Sequence, residues 1–120
     1  MNNTTLFLPL KAKWYELIEK GIKTEEYREI NPHWAKRITT IRYKTDILYT
    51  LARYQLIDEI KENFSFKDFK RVRFSYGYTN RTMEFKCDGI EIGKGNKDWG
   101  APEEEVFIIK LGSRIYETQI

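Results

Sequence analysis

The chain has little of what builds covalent or metal-held frameworks. Cys87 is its single cysteine and His33 its single histidine. One thiol excludes an intrachain disulfide, and one His with one Cys excludes a Cys/His zinc site. Proline is scarce, with three residues, and the seven glycines form no repeat or low-complexity tract. No Pro/Gly linker divides the 120 residues. They read as one domain, 1–120, large enough to bury a core without cross-links. Long apolar runs are missing too, none approaching the ~20 residues that span a bilayer. The opening MNNTTLFLPLKAK lacks the basic-then-apolar order of a secretory leader. These absences suggest a cytoplasmic protein with no membrane partner, no metal and no cofactor.

Aromatic residues, by contrast, are plentiful: eight Tyr, seven Phe and three Trp. With 41% hydrophobic residues there is enough apolar surface to offset the entropy of ordering, which argues against disorder. The net charge of +3 is unevenly spread. Residues 11–44 carry nine Lys/Arg against five acids, residues 61–81 six against two, and residues 82–105 three against seven. Such segregation either steers an anion to one face or belongs to a mixed solvated surface.

Local patterns give an order of elements. TLFLPL (5–10) reads as a short strand with Pro9 at an edge or at its end. KAKWYELIEK (11–20) places Trp14, Leu17 and Ile18 at helical spacing, with Gly21 where a helix-ending glycine belongs. KTEEYREI is extended, and Asn31-Pro32 caps and opens a short helix PHWAKRI. Thr45 to Asn63 reads as helix, kinked or in two pieces, with its apolar face breaking around Tyr54 and Gln55. RVRFSYGY alternates, setting Val72, Phe74, Tyr76 and Tyr78 against Arg71, Arg73 and Ser75. TMEFKC alternates likewise, and Gly89 marks a bulge before GIEIGKG. KDWGAP is a loop, and EVFIIKLGSRIYE (105–117), apolar on both faces, reads as a central strand. A strand, then helices, then a run of antiparallel strands is an α+β order, and Gly-bent strands suggest a small barrel.

The densest chemistry lies in GIKTEEYREI, residues 21–30. On an extended segment Glu26 and Arg28 share a face, while Glu25, Tyr27 and Glu29 point the other way. Lys23 falls in the odd set but adjoins the Gly21 turn, where strict alternation need not hold. Arg28 offers a rigid fork for phosphate or carboxylate, and Lys23 a mobile point charge. Glu26 can orient either cation or accept from the amino edge of a base. Gly21 supplies a left-handed turn or a close approach. The alternative is an ion pair that closes the structure and binds nothing. Trp14 reads as core. Trp34 either packs or stacks a base, and Trp99 either plugs a barrel end or lines a pocket. Tyr76 reads as core, His33 as a surface residue, and Cys87 as buried and inert.

Gly21, Lys23, Glu26 and Arg28 spell Gly-x-Lys-x-x-Glu-x-Arg. Together with LPLKAKWYELIEKG before it, INPHWAKR after it, and FSYGYTNRTMEF and GKGNKDWGAP downstream, this resembles the ASCH domain family of the PUA-like superfold. Residues 39–67 fit least and look like a helical, family-variable insert. The resemblance implies a PUA-like mixed β-barrel of five or six strands with flanking helices. It also implies a cleft between the first helix, the motif segment and the barrel, and binding of nucleic acid, chiefly RNA, or a nucleotide-like ligand. The ligand-binding set it suggests is Gly21, Lys23, Glu26, Arg28, Trp34 and Tyr78.

Related small amidohydrolases, which act on N4-acylcytidine, carry a Thr nucleophile three residues after the motif Lys. Here that position is Glu26, and Thr24, adjacent to Lys23, diverges from it on an extended segment. A metal-independent ribonuclease would need an acid/base pair and a cation, which Lys23, Glu26, Arg28 and Tyr78 could supply. A domain docking an acidic protein is the remaining class.

Overall fold

A computed structural model of the chain describes residues 4–116. The strand expected to end at Glu117 and the three residues before Thr4 therefore lie partly outside the described residues. The elements in order are β1 (Thr5–Leu10), α1 (Ala12–Glu19), β2 (Glu25–Arg28), α2 (Pro32–Ile38), α3 (Thr45–Leu48), α4 (Arg53–Asn63), β3 (Arg71–Tyr76), β4 (Thr82–Gly93), a 3-10 turn (Lys97–Trp99) and β5 (Val106–Ile115). The strands form one mixed sheet, ordered β1-β3-β4-β5-β2 and curled into a half-barrel, which makes the fold α+β. β1 runs parallel to β3, and every other pairing is antiparallel.

β5 lies inside the sheet, between β4 and β2, as its double-sided hydrophobicity predicts. Val106, Phe107, Ile108 and Ile109 are all buried. Phe107 and Ile109 join the two larger apolar clusters, while Val106 and Ile108 join a third with Tyr27 and Ala101. Each such side chain contributes about 1.5–3 kcal/mol of burial, which an edge position would forfeit on one face. α1 packs Tyr15 and Ile18 against Leu6, Leu8, Val72 and Phe74. α2 and α4 cover another part of the sheet, with Ile38, Leu56 and Ile60 meeting Phe107. β4 is one long strand whose register shifts between Phe85 and Gly89, so the bulge falls where the sequence places it.

Two expectations need correction. The helical region 45–63 breaks at residues 49–52, before the expected point. Gln55 is a start signal: its side chain accepts from the Ala52 backbone N–H at 2.7 Å, at the head of α4. β3 stops at Tyr76, because Gly77, with φ 57°, turns the chain toward β4. Tyr78 therefore leaves the alternation and stands 97% exposed. Among the described residues no helix is long and apolar enough to cross a membrane.

Candidate functional site

The motif segment is aimed by the way α1 ends. Gly21, with φ 76°, donates to Ile18 O at 3.0 Å, and Ile22 donates to Leu17 O at 3.0 Å. These two bonds form a Schellman ending, which needs a left-handed residue where Gly21 stands. Lys23 N–H adds a bond to the same Leu17 carbonyl. The tight exit turns the Lys23 side chain inward, against the strict alternation of an extended chain. Lys23 is 1% exposed and Glu26 4%.

The two residues form a buried ion pair, Lys23 Nζ to Glu26 Oε1 at 3.2 Å. Lys23 also donates to the Trp99 carbonyl, and its ammonium lies 5.0 Å from the Trp14 ring and 4.6 Å from the Tyr27 ring. Burial lowers the Lys23 pKa from its ordinary value, and Glu26 opposes that shift. The second Glu26 oxygen accepts from Arg28 Nη1. Glu26 is thus held by both cations. Tyr27, facing the third apolar cluster, donates to Glu25 at 2.8 Å and accepts from Asn96 N–H at 3.0 Å. Its pKa is pushed up to about 12, chiefly by burial.

Arg28 does more than pair. Its Nη2 donates to Pro9 O at 3.0 Å and its Nη1 to Tyr27 O at 3.0 Å. Pro9 lies on β1 and Arg28 on β2, the two edges of the sheet, so this side chain links them across the open side of the half-barrel. Its guanidinium sits 5.1 Å from the Trp34 ring, and that of Arg37 sits 6.0 Å away. Trp34 is placed by the Asn31 cap, whose side chain accepts from Trp34 N–H at 2.9 Å. The expectation that Asn31-Pro32 opens α2 is met.

A cleft of about 410 Å³ opens here, lined by Pro9, Leu10, Lys11, Trp14, Glu26, Tyr27, Arg28, Trp34, Trp99 and Gly100. All three tryptophans of the chain line it, though they lie far apart in sequence. Trp99 lines the cleft and also packs against the third apolar cluster. Trp14, read from the sequence as core, is instead a half-buried wall, with Lys13 Nζ 4.7 Å from its ring. Gly100, with φ 95°, lets the 97–100 loop close on that wall; a Cβ there would come within 2.8 Å of Trp14.

The expected set is therefore divided. Glu26, Arg28 and Trp34 line the cleft. Lys23 lies behind Glu26 and is not among the lining residues, and Gly21 shapes the turn from outside. Tyr78 belongs to the β3–β4 turn, away from this cleft. Lys11, Trp14 and Gly100 were missed; the run KAKW beside the motif was the local trace of the first two, and the KDWGAP loop that of Gly100. Thr24 is exposed and does not line the cleft. Among the described residues no Ser, Thr, Cys or His lines it either, and the Tyr27 hydroxyl is engaged at both ends. Cys87 is half-buried on β4, its thiol pKa raised by burial, and His33 is exposed, its ring edge-on to Trp34. Compared with known proteins, the chain matches no family model, no curated protein and no solved structure.

Proposed function

We propose that the protein binds RNA, or a nucleotide-like ligand, in the cleft walled by Trp14, Trp34 and Trp99. The convergence of every tryptophan on one cleft that also carries Arg28 and Lys11 is the observation that supports this reading. Indole walls suit the flat face of a base, and the two cations suit its phosphate. Within the ion-pair group Lys23 and Arg28 outnumber Glu26 by one positive charge. The Nε–H of Arg28 and one Nη2 hydrogen have no partner among the described residues. They are the donors a ligand would take. A volume of about 410 Å³ falls within the usual range for small-ligand sites.

In this reading the fold is PUA-like and the motif is that of an ASCH domain. Binding is favoured over covalent amide hydrolysis, because among the described residues the cleft wall offers no hydroxyl or thiol beyond the engaged Tyr27. It is favoured over RNA cleavage, where the 2′-hydroxyl of the RNA attacks, because Glu26 is held by two cations and Tyr78 lies outside the cleft. Labelled single-stranded RNA, followed by fluorescence anisotropy, tests the proposal. Wild type should bind, and Arg28→Ala and Trp34→Ala should each weaken binding by about tenfold or more. Unchanged affinity in both folded variants would remove the cleft from consideration.

A further inference from the structure

The cleft does not end at Arg28. It shares Pro9 with a smaller depression of about 290 Å³ whose lining includes Phe7, Arg37, Arg73 and Tyr78. That depression shares Arg73 and Thr82 with a larger hollow of about 700 Å³, which carries Arg71, Arg81 and Arg114. Each hollow thus adjoins the next through shared lining residues, and together they form a groove that runs from the cleft across β1, β3 and β4 toward β5.

Strand register explains its composition. Phe7 on β1 lies opposite Arg73 on β3, and Arg73 lies opposite Glu84 on β4. The outward positions of RVRFS thus place Arg71 and Arg73 in the groove, while Val72 and Phe74 point into the core. Glu84, 13% exposed, accepts from Arg71 and forms an ion pair with Arg73, both at 3.2 Å, and holds them in place. Their guanidinium side chains stay 51% and 41% exposed. Arg81 pairs with Glu19 and lies over the Tyr15 and Tyr76 rings, and Arg114 lies over Tyr116. Four arginines against Glu84 and Glu19 leave an excess of positive charge. Exposed rings flank it: Phe7, under the Arg73 guanidinium at 5.5 Å, and Tyr78. Arg37 joins the two ends, touching the Trp34 ring and donating to Phe7 O at 3.0 Å.

Fixed guanidiniums beside exposed rings are what an extended single strand requires: charge for its backbone and flat surfaces for its bases. On β5, Arg114 lies seven residues from Phe107, the register partner of the cleft residue Arg28, which is about 23 Å along the strand and beyond the reach of a nucleotide seated among the tryptophans. We infer that this groove carries the strand flanking the bound base. The ligand is then a single-stranded RNA of several nucleotides rather than a free nucleotide, an inference that rests on the cleft reading above. Arg73, Arg81 and Arg114 take phosphates, and Phe7 and Tyr78 carry bases.

The test compares cytidine monophosphate with a single-stranded RNA of roughly ten nucleotides over a range of salt. The variant Arg73→Gln/Arg114→Gln leaves Arg71 to satisfy Glu84. It should bind the oligonucleotide about tenfold or more weakly, reduce the salt slope by about 1.4, and bind the mononucleotide as wild type does. Lys20→Gln/Lys44→Gln, with the same loss of charge outside the groove, should change oligonucleotide affinity by less than about twofold. If the oligonucleotide binds no tighter than the mononucleotide, or if the two double variants weaken it equally, the groove proposal is overturned and the cleft reading stands. If groove arginines matter while Arg28→Ala and Trp34→Ala change neither ligand, the cleft reading fails and the arginine surface remains. If polyglutamate displaces RNA at equal charge concentration, the surface recognises acidic polymers and the RNA assignment is overturned.

Discussion

Replacing Glu26 by glutamine removes the charge that two cations share while keeping the side chain's size. The amide can offer one oxygen, and its NH2 must then face the other donor. Lys23 is 1% exposed and has no water to turn to, whereas the Arg28 side chain is 15% exposed. The amide oxygen is therefore expected to turn to Lys23 and the NH2 to Arg28, loosening the Arg28–Pro9 link between the sheet edges. Breaking one partner of a buried pair costs about 3–5 kcal/mol. The lower end applies here, because the Trp99 carbonyl and two rings remain around Lys23. We expect a loss of about 3 kcal/mol, or about 10–15 °C in Tm. Burial already lowers the Lys23 pKa, and Glu26 is the main influence raising it, so in the variant it falls further. Between the folded value and the ordinary ~10.4 the unfolded chain binds more protons, so stability rises with pH across that window. The window opens at lower pH in the variant. Urea denaturation should therefore show the gap between wild type and Glu26→Gln narrowing from pH 7 to about pH 9.5. In a Lys23→Met background the same change should cost much less, since the buried cation is gone. A cost below about 1 kcal/mol at pH 7, or a gap constant with pH, would refute the reasoning.

Other perturbations separate turn, wall and rim. Gly21→Ala meets open space but forces a left-handed alanine, so about 1–2 kcal/mol should be lost by thermal melting with RNA binding retained. Gly100→Ala adds a clash with Trp14 to the same backbone strain, so it should also alter tryptophan emission and weaken binding. Tyr27→Phe removes the hydroxyl that accepts the Asn96 N–H and should cost about 1–3 kcal/mol in chemical denaturation. Tyr78→Ala should leave stability and mononucleotide affinity unchanged, because its ring is 97% exposed and outside the cleft.

Much of the scaffold was legible because it is local. The Asn31 cap, the Gly21 ending and the alternation of RVRFS each depend on residues within a few positions. Burial on both faces of β5 followed from Val106 to Ile109 in the same way. The site was legible only in its charged centre. Trp14 carries a helical stripe with Leu17 and Ile18, and that pattern cannot show that the 97–100 loop will fold over it. The contact depends on Gly100 and on the bond from Lys23 to Trp99 O, which joins residues 76 apart. Tyr78 failed for the opposite reason: alternation was extended through Gly77, where a positive φ ends the strand. Glu26 and Arg28 illustrate both outcomes. They close the sheet edges as a structural ion pair would, and they also wall the cleft.

The central claim is that one ligand contacts a site built by all three tryptophans. Each indole N–H gives its own signal in a nitrogen–proton correlation spectrum. Titration with a short single-stranded RNA should move the signals of Trp14, Trp34 and Trp99 together, along one binding curve, and Arg28→Ala should shift that curve to about tenfold or more higher RNA. Indole signals that stay fixed while RNA binds would contradict the account, and so would signals that move without saturating.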